Sequence, residues 1–154
     1  MNQCQILVAD DDPNAVLMLK YAFEYKAPDV LVHYMADGKE VVDYLQGKPP
    51  FDRESLEPPC LLLLDLKMPR MDGFEVLKWV KEFPALRPKC VAVFSTSGDP
   101  GDREQAAALG ADMYIVKPFE FATLCEMVGE FAMYSRSGWW PPDGSCRPEL
   151  QPRA

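Results

Sequence analysis

The chain has 154 residues, 48% of them hydrophobic, and carries a formal net charge of -8 at pH 7. This size and composition predict one globular domain with a core of ordinary size. The acidic balance argues against a DNA- or RNA-binding surface, because phosphate binding usually needs a basic patch. No apolar run is long enough to span a bilayer, and the N-terminus lacks the features of a signal peptide, so we expect a cytoplasmic protein without a membrane or nucleic-acid partner.

Apolar, strand-like runs alternate with helical patterns along the chain, which is typical of βαβ units. The predicted strands cover residues 5–9, 30–34, 60–64, 90–94 and 113–116. The predicted helices cover residues 13–25, 39–46, 73–83, 102–109 and 120–134. This alternation predicts a doubly wound α/β domain, in which a five-stranded parallel sheet carries helices on both faces.

The composition changes after Tyr134, where prolines and the pair Trp139-Trp140 appear. We expect residues 1–134 to form the domain and residues 135–154 to form a Pro-rich C-terminal tail. Two alternatives stay open for the tail. Either its tryptophans pack on a neighbouring subunit or partner, or the tail folds back on its own domain or remains mobile.

Polar side chains follow four of the predicted strands at the point where each strand ends. They are Asp10, Asp11 and Asp12 after the first strand, Asp65 after the third, Ser95 and Thr96 after the fourth, and Lys117 after the fifth. The carboxyl ends of parallel strands lie along one edge of the sheet, where open α/β sheets place their sites. We therefore expect one pocket that gathers carboxylates, a hydroxyl and an ammonium group.

Some polar residues have a structural explanation. Asp12 precedes Pro13 and fits a helix N-cap, and Asp72-Gly73 fits a turn that begins a helix. The lone His33 lies within a predicted strand, so we interpret it as structural rather than as a phosphate carrier.

Four motifs, taken in order, resemble the receiver domain of two-component response regulators over residues 4–134. They are Asp10-Asp11, Asp65-Leu66-Lys67-Met68-Pro69 with Met71-Asp72-Gly73, Ser95, and Lys117-Pro118-Phe119. Each motif is weak alone, whereas the ordered set at strand ends is specific. The resemblance implies a flavodoxin-like sheet with the strand order 2-1-3-4-5.

The resemblance also implies a phosphoacceptor at Asp65, whose carboxylate attacks a phosphohistidine on a sensor histidine kinase. It implies Mg²⁺ as the cofactor, since this hard cation prefers oxygen ligands and offsets the repulsion of crowded carboxylates. By the family pattern, Asp11 and Asp65 bind the metal directly. Asp10 binds it mainly through water, and the backbone carbonyl of Lys67 completes the protein ligands.

Lys117 and Ser95 complete the implied set, because the ammonium pairs with one phosphoryl oxygen and the hydroxyl hydrogen-bonds another. The family usually has a cis peptide bond at Lys117-Pro118. The resemblance further implies that Ser95 moves toward the new phosphoryl group and Tyr114 rotates inward, which would change the surface of the fourth helix, fifth strand and fifth helix. The resemblance thus implies a signalling phosphoacceptor that catalyses only its own phosphotransfer and dephosphorylation, and is not otherwise an enzyme.

A finer resemblance involves the long loop at residues 47–59 and the segment 74–79. Together with the motif at Asp65, they are similar to small stand-alone response regulators associated with phytochrome histidine kinases. This resemblance implies a phytochrome-type kinase partner, no output domain after the receiver, and a possible homodimer. The downstream protein partner is not indicated.

Other functions stay open. A phosphorelay shuttle would pass the phosphoryl group from Asp65 to a phosphotransfer histidine, and a binding module would signal without phosphate. Asp10 and Asp12 also form the D-x-D pattern of haloacid-dehalogenase-like phosphatases, and residues 98–102 resemble their acidic metal motif. In that family the lysine precedes the acidic motif, whereas Lys117 follows it here and Asp65 is left unexplained.

Overall fold

A computed structural model of the protein describes residues 5–51, 53 and 57–137. The strands in these residues are β1 Ile6–Ala9, β2 Val32–Met35, β3 Leu61–Leu64, β4 Cys90–Ser95 and β5 Met113–Val116. The α-helices are α1 Pro13–Lys26, α2 Gly38–Gln46, α3 Gly73–Glu82, α4 Pro100–Ala108 and α5 Phe121–Ser137. All ten predicted elements are confirmed, and their ends differ from the predicted ones by at most three residues.

The five strands form one parallel sheet in the order β2-β1-β3-β4-β5. The register pairs Ile6 of β1 with Val32 of β2 and with Leu61 of β3. The predicted fold class and strand order are therefore confirmed. The order reverses between β1 and β3, and such a switch point opens a crevice beyond the carboxyl ends of the two strands.

Each face of the sheet has its own hydrophobic core, because alternate residues of a strand point to opposite faces. Ile6 and Val8 of β1 belong to one core, together with residues of α1 and α5. Leu7 and Ala9 belong to the other, together with residues of α2, α3 and α4. Strands β1, β3 and β4 are buried along their whole length, which explains why they appear in the sequence as continuous apolar runs.

Helices α1 to α4 each begin after an aspartate whose carboxylate accepts a hydrogen bond from a backbone N–H of the first turn. These N-caps are Asp12, Asp37, Asp72 and Asp99. Each cap gives a partner to an N–H group that the helix itself cannot satisfy. The predictions for Asp12 and Asp72 are confirmed. Asp12 and Asp99, which belong to the alternative phosphatase pattern, act as helix caps.

The expected cis bond before Pro118 was wrong. Among the described residues, the cis peptide bond is Pro49–Pro50, in the loop that joins α2 to β3. The Lys117 side chain nevertheless reaches the edge of the sheet where β1 and β3 end. Strand β5 runs parallel to β4, so the residue that follows β5 lies at that same edge.

The C-terminal end of the chain is only partly described. Helix α5 continues through Ser137, beyond the predicted end of the domain. Residues 138–154, with Trp139 and Trp140, lie outside the described residues, so the division into domain and tail stays a prediction. No helix in the described ranges combines the length and apolarity needed to cross a membrane.

Helix α3 begins in close contact with the end of β3. The Gly73 N–H donates a hydrogen bond to the Leu66 carbonyl at 3.0 Å. A Cβ atom at Gly73 would lie 2.8 Å from the Leu66 Cα and would also overlap the Asp65 carbonyl oxygen. Backbone atoms cannot move aside as a flexible side chain can, so only glycine lets α3 start this near to Asp65.

Replacement of this glycine tests the close approach. We expect Gly73→Ala to lower the free energy of unfolding by about 2–3 kcal/mol, because the methyl group forces the backbone apart. Chemical denaturation measures the change. Gly129→Ala in α5 is the matched control, since a Cβ there meets nothing within 4 Å. It should be neutral or stabilise by up to about 1 kcal/mol through helix propensity, and equal effects of the two substitutions would contradict this explanation.

Candidate functional site

Three carboxylates meet beyond the ends of β1 and β3. Asp10, Asp11 and Asp65 each offer an oxygen, and these oxygens all lie within 4.8 Å of one another. Asp10 is 3% exposed and Asp65 is 8% exposed, whereas Asp11 is open to solvent. The backbone explains the arrangement, because the Asp65 N–H donates to the Ala9 carbonyl at 2.9 Å and so aligns the two strand ends.

Lys117 brings a positive charge to this cluster. Its Nζ atom lies 2.6 Å from Oδ2 of Asp10 and 3.4 Å from Oδ2 of Asp65. The contact with Asp10 is the shorter of the two, and it joins a buried carboxylate oxygen to the ammonium group. The other oxygen of Asp10 accepts a hydrogen bond from the Asp12 N–H at 3.0 Å. The structure thus brings together four of the predicted site residues.

Burial and neighbouring charges shift the pKa values of Asp65 and Lys117. Burial raises the pKa of the Asp65 carboxyl above its usual value; Lys117 opposes this rise, and the charge of Asp10 adds to it. For Lys117, burial acts to lower the pKa, but the contacts with Asp10 and Asp65 outweigh burial and raise it overall. Lys117 is therefore charged at neutral pH, while ionised Asp65 lacks full charge compensation.

The donor set fits a hard divalent cation. All three side chains offer carboxylate oxygens, which are the ligands that Mg²⁺ prefers. Three carboxylates facing one ammonium leave an excess of two negative charges when all are ionised. The buried Oδ2 of Asp10 contacts Lys117, and a carboxylate oxygen has a second lone pair that can face a further ligand. Asp10, Asp11 and Asp65 are the residues that would hold the ion or its water.

Lys67, the remaining predicted metal ligand, directs its side chain to solvent. Its backbone N–H donates to the Asp65 carboxylate and helps to keep that group ionised. The role of the Lys67 carbonyl as a ligand stays a prediction.

The predicted switch residues are neighbours in the structure. Ser95 is 2% exposed, and its hydroxyl oxygen accepts a hydrogen bond from the Ser97 N–H at 3.2 Å. The Tyr114 hydroxyl donates to the Ser97 carbonyl at 2.7 Å and also contacts the Ser95 side chain. Any movement of Ser95 would therefore change its contacts with Ser97 and Tyr114.

Sequence reasoning missed how α4 closes over these residues. The Ser97 hydroxyl donates to the Asp102 carboxylate at 2.7 Å, and the Arg103 guanidinium lies 4.7 Å from the ring centroid of Tyr114. The spacing of Ser97 and Asp102 carries no sequence signal, because the path of the loop decides the contact. The stacking of Arg103 depends on how α4 packs against β5, which no local pattern specifies.

Most of the chain matches a known protein family. Residues 6–129 match the response regulator receiver domain. The chain belongs to this family. The resemblance of the four motifs is thereby confirmed, and the acidic pocket of this receiver domain is of the type that binds Mg²⁺ in the family.

Solved structures of similar fold include proteins of light signalling. The phosphorylated cyanobacterial phytochrome response regulator RcpA superposes with a TM-score of 0.79 at 28% identity, covering 92% of this chain and 99% of that one. Response regulator RPA3017 in red light signaling of R. palustris gives a TM-score of 0.76 at 28% identity, with coverages of 90% and 95%. The Mn²⁺-bound form of response regulator Rcp1 gives a TM-score of 0.75 at 25% identity, covering 90% of this chain and 99% of that one.

Curated relatives are regulatory proteins. The probable methanogenesis regulatory protein FilR2 of Methanothrix harundinacea is 33% identical over 129 residues, which are 84% of this chain and 81% of FilR2. The alkaline phosphatase synthesis transcriptional regulatory protein PhoP of Bacillus subtilis is 30% identical over 115 residues. The chain spans only 42% of the length of PhoP, so the similarity does not extend to the whole of that protein.

The charge of the pocket predicts how Asp65→Asn changes stability. A raised pKa means that the folded state disfavours the ionised carboxylate, so the isosteric neutral amide should raise the melting temperature in EDTA at neutral pH. Millimolar Mg²⁺ should stabilise the wild type more than the variant, because the variant lacks one anionic ligand. Differential scanning calorimetry measures both effects. A lower melting temperature of the variant in EDTA would contradict the prediction.

Proposed function

We propose that this receiver domain is the phosphoacceptor of a two-component system, and that Asp65 takes the phosphoryl group from a sensor histidine kinase. The observation that carries the proposal is the cluster of three carboxylates within 4.8 Å, with an ammonium group 3.4 Å from Asp65. Phosphoryl transfer needs positioned positive charge around a nucleophile, and this cluster offers both. Membership of the receiver family supports the same conclusion.

In the proposed transfer, a carboxylate oxygen of Asp65 attacks the phosphorus of a phosphohistidine. The new P–O bond forms as the P–N bond breaks, and the imidazole nitrogen keeps the electron pair of the broken bond. The product is an acyl phosphate on Asp65. Lys117 then pairs with one phosphoryl oxygen, and the Ser95 hydroxyl donates a hydrogen bond to another.

We propose Mg²⁺ as the resident metal, with Asp11 and Asp65 as direct ligands, Asp10 acting through water, and the Lys67 carbonyl as the backbone ligand. A divalent cation there supplies charge that offsets the carboxylates and the phosphoryl oxygens. The chain itself holds the carboxylates at two adjacent strand ends, so their positions do not depend on a mobile loop. Lys117, which contacts Asp10 and Asp65, is placed to exchange one of these contacts for a phosphoryl oxygen.

The proposed output surface is formed by α4, β5 and α5. When Ser95 turns toward the phosphoryl group, it gives up its contacts with Ser97 and Tyr114. The arrangement of Tyr114 and of the first turn of α4 then changes, because Ser97 holds both. A downstream protein or a second copy of the chain would bind this surface in one state in preference to the other.

A phytochrome-type kinase is the proposed phosphodonor. This proposal is supported by the similarity to RcpA and to RPA3017, whose names refer to phytochrome and to red light signalling. A cavity that Lys117 also lines, but the three carboxylates do not, contains the exposed side chains of Met18, Phe119 and Phe121. Exposed apolar side chains next to the reacting group fit a protein as phosphodonor.

Intact-mass analysis after incubation with acetyl phosphate tests the proposal without its kinase. We expect wild type to gain one phosphoryl group in Mg²⁺ and none in EDTA. Asp65→Asn should gain none, because the amide cannot act as the nucleophile. Hydroxylamine should remove the adduct, since an acyl phosphate is a reactive carbonyl derivative.

Asp72→Asn is the matched control, because Asp72 caps α3 and asparagine caps helices equally well. This variant should be phosphorylated like wild type. A phosphoryl adduct on Asp65→Asn would place the acceptor elsewhere. Failure of wild type to gain an adduct or to bind beryllofluoride would favour a binding module that signals without phosphate.

A further inference from the structure

An ion pair fastens the loop that follows the phosphoacceptor to the start of α2. Nη2 of Arg70 lies 2.6 Å from Oδ2 of Asp37, and Nε of Arg70 donates to the same oxygen at 2.7 Å. Asp37 is 5% exposed, whereas the Arg70 side chain is largely open to solvent. Removal of the guanidinium would thus leave a buried carboxylate without its counter-charge.

The same aspartate organises α2. Its other oxygen, Oδ1, accepts the Glu40 N–H at 2.9 Å as the N-cap bond. Oδ1 of Asp37 therefore caps the helix, and Oδ2 binds Arg70. An asparagine at this position would keep the cap through Oδ1 and turn an amide NH₂ group toward Arg70, so the ion pair and its hydrogen bond would both be lost.

A backbone contact strengthens the attachment. The Gly38 N–H donates to the Met71 carbonyl at 3.0 Å. A Cβ at Gly38 would lie 2.6 Å from Cγ2 of Val76 and would overlap the Met71 carbonyl oxygen. The residues next to Asp37 and to Arg70 thus pack directly against each other, so the ion pair spans a close contact.

The backbone conformation of Arg70 is one that glycine would adopt more easily. Arg70 has φ 64°, in the left-handed region where residues other than glycine are disfavoured. Glycine would adopt this conformation at no steric cost but has no side chain to reach Asp37. The chain accepts an unfavourable backbone conformation at a position where the side chain makes two contacts with a buried carboxylate.

We propose that Arg70 is a positioning residue for the metal and phosphoryl site, acting through the loop of residues 66–72. This loop begins directly after Asp65 and contains Lys67, whose backbone N–H contacts the Asp65 carboxylate. Its far end is fixed by Gly73, which packs on Asp65 and Leu66. Arg70 fixes the middle, so the ion pair keeps the loop backbone in the conformation that a cation at Asp65 requires. The inference rests on the proposed function, because it assigns Arg70 a part in the same site.

The charge of Arg70 makes the test unambiguous in sign. Removal of a positive charge near three carboxylates should strengthen binding of Mg²⁺ if only long-range electrostatics matter. Loss of loop positioning should weaken it. Arg70→Gly is the informative variant, since glycine removes the ion pair and at the same time relieves the left-handed backbone.

Isothermal titration of the metal-free protein with Mg²⁺ measures the effect. We expect Arg70→Gly to weaken Mg²⁺ binding about tenfold, as is typical for loss of a residue that orients a metal ligand. Asp37→Asn should weaken Mg²⁺ binding to a similar extent. The double variant should bind Mg²⁺ no more weakly than either single variant, because both substitutions remove the same ion pair. Lys78→Ala, which removes one exposed charge from α3, is the matched control and should bind within about twofold of wild type.

Amide hydrogen exchange in EDTA provides a second measurement that needs no metal. Arg70→Gly should speed exchange of the Gly38 and Gly73 N–H groups, which bond to the two ends of the loop. Unchanged exchange together with Mg²⁺ binding as tight as wild type, or tighter, would overturn the positioning role of Arg70. If wild type itself bound no Mg²⁺, the proposed function would fail first, and the exchange rates would still decide whether Arg70 holds the loop.

Discussion

The charge balance around Lys117 governs the pocket. Asp10 and Asp65 follow neighbouring parallel strands, so the sheet register itself brings two buried carboxylates together. One ammonium contacts both of them and cannot neutralise the whole cluster. A pocket with this excess of negative charge suits a divalent cation. The chemistry proposed for Asp65 follows from this balance.

The two sides of the pocket are built differently. On the side of α2 and α3, Gly38 and Gly73 allow backbone contacts that leave no room for a Cβ atom. On the side of α4, the structure relies on hydrogen bonds through Ser97, and within α4, all of which is described, Ala106 alone is buried. Few apolar contacts mean a low cost of local rearrangement. The pocket thus has one closely packed side and one side with few apolar contacts.

Much of the fold was predictable because each signal is local. Apolar runs predicted the strands, and Asp12 and Asp72 indicated where the helices that they cap begin. The cluster of Asp10, Asp11, Asp65 and Lys117 was also predictable, since the carboxyl ends of parallel strands share one edge. The contacts of Arg70 with Asp37 and of Arg103 with Tyr114 were not, because they join residues from separate loops and helices.

The sequence by itself determined which groups meet at the edge of the sheet, since the apolar pattern marks where the strands end and the alternation with helices predicts that they run parallel. It did not determine how those groups are held. The tertiary structure decided that Lys117 contacts both Asp10 and Asp65, that Ser97 joins Ser95 to Tyr114, and that α2 fastens the loop after Asp65. The reason is physical. Periodicity specifies which face of an element is buried, whereas contacts between loops depend on how packed helices place them in space.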